Sequence, residues 1–305
     1  MFKPNYPKCA LGLEAESVTA VALRSEGRGR FGISQAASVE LPDELLVPSF
    51  LETNISNRDE LLSIIEDVCL RAGLAGEKRW SVSLPGNTAR TTILTLENEP
   101  ASKKELSDVL DWKAEHSFGA PARELRLALT KISPDREGRS RYFATAVTLA
   151  VVDEYESMFE SRGWQAGLIL PRAVSEANWL IGRSGGRDSL LISSQNDGFS
   201  AVLMRGSEPV VVRNVTCTES ETDDEIYRLL MFYNDRLMSG AWDVLRQVLL
   251  VGKGIDRDQI RSISGEALGH ELEILRASDV GLELPPGSIT FDDVAAPAGV
   301  AMLGV

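Results

Sequence analysis

The feature that most constrains the fold is a strand pattern that occurs twice. Residues 190–215 read LLISSQNDGFSAVLMRGSEPVVVRNV, in which three apolar runs are separated by two turn-rich segments. Alternating apolar and β-branched residues between glycine-bearing turns predict a three-stranded antiparallel meander. A second meander is predicted at residues 9–42, CALGLEAESVTAVALRSEGRGRFGISQAASVELP. The two meanders start about 180 residues apart, which is too far for a solenoid repeat and typical of a duplicated, two-lobed fold.

The charge of the chain excludes two classes of partner. Its 45 Asp and Glu residues outnumber its 32 Lys and Arg residues, so the formal net charge is −13. Nucleic-acid binding needs a surplus of positive charge opposite the phosphates, and docking on anionic lipid needs the same. We therefore expect no nucleic-acid partner and no direct membrane insertion. The length of 305 residues allows a large core and more than one lobe.

Cysteine usage and the apolar runs predict a cytoplasmic protein. Cys9, Cys69 and Cys217 are odd in number and form no CxxC pair, which indicates neither a zinc site nor a disulfide framework. Residues 1–8 are short and polar and do not resemble a secretory leader. The longest apolar run, residues 144–152, is too short to span a bilayer. We expect a cytoplasmic protein that contacts the membrane only through a partner.

Between the two meanders the sequence predicts a helix, a strand and an inserted lobe. Asn57 caps the helix, Gly73 closes it, and the strand Arg79–Leu84 follows. The segment SKKE at residues 102–105 is a capping-box pattern and sets the start of the first helix of the insert. The elements expected within the insert are strands at 90–96, 125–132, 142–150 and 166–170, and helices at 102–117 and 153–162.

After the insert, Pro171 is expected to begin a helix that ends at Gly185-Gly186. The acidic run at residues 219–225 opens a second helix, because carboxylates are favourable near the positive end of the helix dipole. A break at Gly240 precedes the strand and glycine turn of VLLVGKG. A helix from Asp256, a short strand at 272–275 and a small Ala/Gly-rich helix complete the prediction.

This order of elements resembles the actin, Hsp70 and sugar-kinase superfamily, and within it the PilM family of type IV pilus assembly proteins. The residues that carry the resemblance are LGLE at 11–14, LPGN at 84–87, DWKAEH at 111–116 with Pro121, and residues 249–254. The cytoplasmic part of the L-type secretion proteins is a related family.

The resemblance implies an α/β, two-lobed actin/Hsp70-like (ribonuclease H-like) fold with a small inserted α/β subdomain. The implied divisions are a first lobe at 1–86, an insert at 87–170, a connecting helix at 171–186, a second lobe at 187–291 and a C-terminal helix at 292–305 that returns to the first lobe.

The resemblance also implies a site for ATP and Mg²⁺ between the lobes, formed by two hairpin turns and a glycine turn. The residues that it assigns to this site are Glu14, Ser17, Thr19, Ser194, Asn196, Asp197, Gly198, Gly252, Lys253 and Gly254. Both hairpin turns depart from the family's pattern, because Glu16 stands where the first turn has glycine, and Asp197-Gly198 comes several residues late in the second. Carboxylates at these places repel phosphate unless Mg²⁺ bound to Glu14 or Asp197 reverses the sign. We therefore expect poor nucleotide binding and no efficient hydrolysis.

In PilM-like proteins a groove between the first lobe and the insert holds the N-terminal cytosolic tail of a single-pass inner-membrane protein of the PilN type. The resemblance thus makes Trp112, His116 and Phe118 candidate contacts for that tail, with ordinary core packing of the insert as the alternative. Trp112 falls outside the apolar stripe of its helix, as an exposed aromatic residue in a partner surface would. Other proteins of the pilus or secretion platform are further expected partners.

Two other functions share this fold. One is an ATP-binding enzyme such as a kinase or ATPase, and the other is a cell-division filament protein of the actin type. The sequence contains no Walker A, HExxH or GxSxG motif, and its two histidines, His116 and His270, are far apart. No catalytic residue and no metal site is predicted. We therefore expect a non-catalytic adaptor.

Overall fold

The computed structural model describes residues 5–183, 187–237 and 244–305. The first part of the chain forms strands β1 (Cys9–Leu13), β2 (Ser17–Gly27) and β3 (Arg30–Glu40), helix α1 (Arg58–Arg71) and strand β4 (Arg79–Leu84). The middle part forms β5 (Arg90–Thr95), α2 (Lys103–Phe118), β6 (Leu125–Ile132), β7 (Arg141–Thr148), α3 (Leu149–Glu160), β8 (Gln165–Pro171) and α4 (Arg172–Ala177). The last part forms β9 (Asp188–Gln195), β10 (Gly198–Arg205), β11 (Glu208–Thr216), α5 (Thr222–Arg236), β12 (Gln247–Val251), α6 (Arg257–Leu268), β13 (Glu273–Leu275), β14 (Leu282–Glu283) and α7 (Phe291–Ala301). The predicted glycine breaks at Gly185-Gly186 and Gly240 lie outside the described residues.

Both predicted meanders are present, and each begins a large sheet. The first sheet has the order β14-β3-β2-β1-β4-β8 and the second the order β11-β10-β9-β12-β13. In each sheet an antiparallel meander is followed by a parallel strand, β4 beside β1 and β12 beside β9. The repeated sequence pattern therefore corresponds to two lobes with the same strand arrangement.

The two sheets are stacked with helices between them and on both outer faces. Helices α4 and α7 pack between the sheets, α1 and α3 cover the outer face of the first sheet, and α5 and α6 cover that of the second. Leu191 faces the central layer, whereas its neighbours Leu190 and Ile192 face α5 and α6. Because both faces of β9 are covered, the three consecutive residues Leu190–Ile192 are all apolar and buried.

The predicted insert at 87–170 is divided between two sheets. Strands β5, β7 and β6 form a separate three-stranded sheet, which packs on α2 through a core that includes Leu110, Phe118 and Ala144. Strand β8, in contrast, pairs in parallel with β4 in the first sheet. Helix α3 packs there too, through Tyr155 and Phe159. The separate unit is therefore the three-stranded sheet with α2, which we call the small subdomain.

Two predicted helix starts are shifted. The predicted strand at 142–150 ends at Thr148, and α3 begins at Leu149 rather than at 153. The Thr148 hydroxyl accepts a hydrogen bond from the Val151 N–H at 3.4 Å and caps the helix. A short apolar run does not by itself distinguish a strand from a buried helix, so this boundary depends on the cap. Pro171 is the last residue of β8, paired with Leu84, and not the first residue of α4.

The C-terminal helix α7 packs against strands β1 and β2 of the first sheet. Trp179, which follows α4, donates a hydrogen bond from Nε1 to the Ala295 carbonyl at 2.7 Å. A side chain at Gly12 in β1 would approach Pro297 to within 2.9 Å, so this glycine allows α7 to lie against the first sheet. None of the helices in the described ranges combines the length and the apolar character that a membrane span requires.

Candidate functional site

A cleft of about 360 Å³ lies between the two lobes and contains nearly all of the residues assigned to a nucleotide. Its lining includes Glu14, Ser17, Thr19, Ser194, Asn196, Gly198, Gly252, Lys253 and Gly254. The ends of β1 and β9 and the turn after β12 bring these residues together, as the strand order requires. Asp197 is not part of this lining and instead borders a second depression described below. The structure thus assembles the cleft around Glu14, whereas Asp197, the alternative carboxylate considered for Mg²⁺, lies at the second depression.

The first hairpin turn of the cleft is closed by its own backbone. The Glu14 N–H donates to the Ser17 carbonyl at 2.9 Å. The Thr19 hydroxyl lies 2.8 Å from the Ser38 hydroxyl and is almost fully buried. Thr19 therefore belongs to the pairing of β2 with β3 as much as to the cleft wall.

A buried cation at the floor of the cleft was missed by sequence reasoning. Arg172, at the start of α4, donates from Nη1 to Glu14 Oε2 at 3.0 Å and from Nε to Glu176 Oε1 at 2.8 Å. Glu176 is fully buried and Arg172 nearly so. The one sequence signal was the i, i+4 spacing of Arg172 and Glu176, which could not reveal that Glu14 joins them from 158 residues away.

Burial governs the protonation of Glu14. Desolvation raises the pKa of Glu14 to about 7, the Arg172 guanidinium opposes the rise, and the negative Glu176 adds to it. The pKa of Arg172 is raised, because the two carboxylates outweigh its desolvation. Arg172 is thus a permanent cation, whereas Glu14 exchanges a proton near neutral pH.

The glycine turn after β12 is occupied by groups of the same chain. The Gly252 N–H donates to Asp292 Oδ1 in the first turn of α7 at 3.0 Å, and the Ser194 hydroxyl donates to the Lys253 carbonyl at 2.6 Å. Gly252 has a φ of +98° and Gly254 a φ of +83°, which explains why glycine stands at both positions.

The residues of the cleft do not fit a nucleoside triphosphate. A phosphate at the Gly252 amide or at the Arg172 guanidinium would compete with the carboxylates that already accept from these groups. A Mg²⁺ ion at Glu14 would share that carboxylate with Arg172, whose positive charge repels it. Across the described ranges, no group of three or more His, Cys, Asp or Glu side chains is placed to bind a metal ion.

A second depression of about 800 Å³ lies where the first lobe, the small subdomain and the second lobe meet; we call it the groove. Its first-lobe wall is formed by residues 48–50 and 85–87, its small-subdomain wall by β5 and the end of α2, and its second-lobe wall by β11. The Arg90 guanidinium lies 4.3 Å from the Phe50 ring centroid and donates to the Phe118 carbonyl at 2.5 Å. Asn87 donates to Asp197 at 2.7 Å and joins the first and second lobes at the groove.

Two unpaired strand edges face the groove. Strands β5 and β11 are each the last strand of their sheet. Leu96 donates to the Ser140 carbonyl, so by alternation the backbone groups of Thr91 point away from β7. In the same way the bond from Cys217 to the Asp197 carbonyl directs the backbone of residues 212, 214 and 216 away from β10. The groove therefore offers backbone donors and acceptors together with apolar side chains such as Val202 and Val212.

The three predicted partner contacts lie in different environments. Trp112 is 55% exposed on α2, and its ring centroid lies 4.2 Å from that of His116. Neither residue lines the groove. Phe118 borders the groove at the end of α2, but it is almost fully buried in the core of the small subdomain. Truncation of Phe118 would therefore measure core packing, and the role of all three in partner binding stays a prediction.

The sequence matches no protein-family model and no curated protein. The structure is similar to a chain of a PilM-PilN type IV pilus biogenesis complex, with a TM-score of 0.72 and 18% identity over 98% of both chains. Weaker likenesses include the cytoplasmic domain of EpsL, an inner-membrane component of the type II secretion system of Vibrio cholerae, with a TM-score of 0.47 and 10% identity over 94% of this chain and 92% of that one. The ethanolamine utilization protein EutJ from Carboxydothermus hydrogenoformans has a TM-score of 0.49 and 8% identity over 99% and 92% of the two chains.

The likeness to the PilM-PilN structure covers the whole of both chains and confirms the predicted fold class. The protein therefore has the two-lobed, actin-like α/β fold of that PilM chain.

Proposed function

We propose that the protein is a non-catalytic adaptor of a type IV pilus or secretion platform in the cytoplasm. It would bind the N-terminal cytosolic tail of a single-pass inner-membrane protein of the PilN type, and through that partner lie at the inner membrane. Further platform proteins would contact its other surfaces. The fold shared with the chain of a PilM-PilN complex supports this proposal.

The observation that carries the proposal is the groove with its two free strand edges. An extended peptide satisfies exposed backbone groups of an edge strand, and its alternate side chains enter pockets beside that strand. The groove supplies both features, since the edge of β11 runs beside the half-buried side chains of Val174 and Val212. Its volume of about 800 Å³ is enough for several side chains of a tail.

The test is a calorimetric titration with a synthetic peptide. The peptide is the cytosolic tail of the single-pass membrane protein encoded beside this chain. We expect saturable one-to-one binding, and we expect Val212→Arg to weaken it at least about tenfold because the larger side chain fills the groove, a change of about 1.4 kcal/mol or more. Unchanged thermal unfolding of Val212→Arg would show that the variant is folded.

Trp112→Ala is the matched control, because Trp112 is exposed on the small subdomain outside the groove. We expect it to bind the peptide like the wild type. Loss of binding in Trp112→Ala with full binding in Val212→Arg would move the site to the outer face of α2. No heat of peptide binding with the wild type or with either variant would contradict the adaptor proposal.

The non-catalytic part has its own measurement. We expect phosphate release from MgATP to stay at the background rate, because the Gly252 amide and the Arg172 guanidinium already have carboxylate partners. A release rate that saturates with MgATP would contradict this part and leave the peptide site untouched.

A further inference from the structure

Three donor groups of the cleft have partners within the chain. The Gly252 N–H donates to Asp292, and the Ser194 hydroxyl donates to the Lys253 carbonyl. Arg172 uses Nε and Nη1 for Glu176 and Glu14. A phosphate oxygen at the Gly252 amide would have to displace Asp292, and one at Arg172 would share that cation with two carboxylates.

The net charge of the cleft lining also disfavours an anionic ligand. Its lining has two basic residues, Arg172 and Lys253. Its acidic residues are Glu14, Glu16, Glu219, Asp292 and Asp293. Even with Glu14 half protonated near pH 7, the acidic groups outnumber the basic ones. A polyanion entering this cleft meets a net negative lining, and each like charge at about 4 Å costs on the order of 4 kcal/mol at an effective dielectric of 20.

The internal acceptors and their donors lie in different layers of the molecule, so their hydrogen bonds can join the lobes. Asp292 belongs to α7, which packs against the first sheet, and Gly252 follows β12 of the second sheet. Glu14 begins the turn between β1 and β2 of the first lobe, and Arg172 begins α4 between the two sheets. Each bond therefore crosses from one layer of the molecule to another at the cleft.

We propose that the cleft is ligated by the chain itself: the carboxylate of Asp292 occupies the Gly252 amide, and that of Glu14 pairs with the Arg172 cation. The closed arrangement of the two lobes then needs no nucleotide. The fold keeps the cleft as a joint between its lobes, and the groove keeps its geometry whether or not nucleotide is present. This inference is independent of which partner the groove binds.

Thermal unfolding of the full chain with and without millimolar MgATP tests the proposal. We expect no shift of the wild-type Tm by MgATP, because a ligand that binds the folded state stabilises it in proportion to occupancy. Asp292→Ala should lower the Tm by about 2 °C in the absence of nucleotide, since the Gly252 amide loses its acceptor. Asp292→Asn keeps an acceptor oxygen and should stay near the wild type.

Glu219→Gln is the matched control, because it removes one negative charge from the same cleft and Glu219 has no side-chain hydrogen bond among the described residues. It should leave the Tm unchanged. A saturable rise of the wild-type Tm with MgATP would overturn the proposal. Equal Tm values for Asp292→Ala and Glu219→Gln would overturn it as well. If Asp292→Ala does not fold, calorimetric titration of the wild type with MgATP decides, and saturable heat would contradict the proposal.

Discussion

The cleft and the groove are both formed between lobes, but they differ in how far their polar groups are satisfied. In the cleft, the Gly252 amide and the Arg172 guanidinium have carboxylate partners from the same chain. In the groove, two strand edges present backbone groups that no neighbouring strand of the described chain pairs with. A depression between lobes therefore does not by itself identify the binding site here. The unsatisfied backbone of the groove is the better guide, because hydrogen bonds left unmade are what a peptide can supply.

The largest expected effect comes from breaking the ion pairs that Arg172 forms with Glu14 and Glu176 in the cleft. Arg172→Leu leaves Glu14 and Glu176 without their shared cation, and loss of one member of a buried ion pair costs about 3–5 kcal/mol. Urea unfolding measures the loss. Lys253→Leu is the control, since the described residues give this exposed cation of the same cleft no ion pair, and it should change stability by less than about 0.5 kcal/mol. Similar losses of unfolding free energy in both variants would show that the ion pairs of Arg172 stabilise the fold no more than an unpaired cation does.

The second effect is a pH dependence of stability that arises from Glu14 in the cleft. The folded state raises the pKa of Glu14 from 4.5 to about 7, so it keeps a proton that the unfolded chain releases at lower pH. This contribution to stability is complete below pH 4.5 and is lost as the pH rises through 7. Between pH 5 and 8 the free energy of unfolding of the wild type should fall by on the order of 1–3 kcal/mol relative to that of Glu14→Gln. Parallel stability curves of the two proteins would contradict the raised pKa.

The smallest effect concerns the bond that joins the lobes beside the groove. Asn87→Ala removes the exposed hydrogen bond to Asp197 and should cost about 0.5–1 kcal/mol. We expect a weaker affinity for the tail peptide because the groove loses one of its fixed walls. Asn196→Ala, in the neighbouring cleft, removes a side chain with no hydrogen bond in the described part of the chain. It should change neither the free energy of unfolding nor the affinity for the tail peptide. A shared effect of both variants on peptide affinity would mean that cleft and groove are coupled.

Much of the fold could be predicted because its signals are local. Both meanders, the bounds of Arg79–Leu84 and Leu125–Ile132 and the cap of α2 at Ser102 follow from alternation, turns and capping residues within a few positions. The start of α3 could not be predicted in this way. Its residues continue an apolar run from β7, and only the Thr148 cap and burial against the first sheet separate helix from strand.

The sequence by itself determined the two-lobed architecture and the positions of the glycines at the cleft, because these depend on local patterns that occur twice. The tertiary structure alone decided which groups meet there. Glu14 reaches Arg172 across 158 residues, and Asp292 reaches Gly252 across 40, because stacked layers bring distant strand ends together. It also decided that β8 joins the first sheet and that β5 and β11 face one groove. Contacts of this kind are set by the packing of whole elements, and no short segment of sequence encodes them.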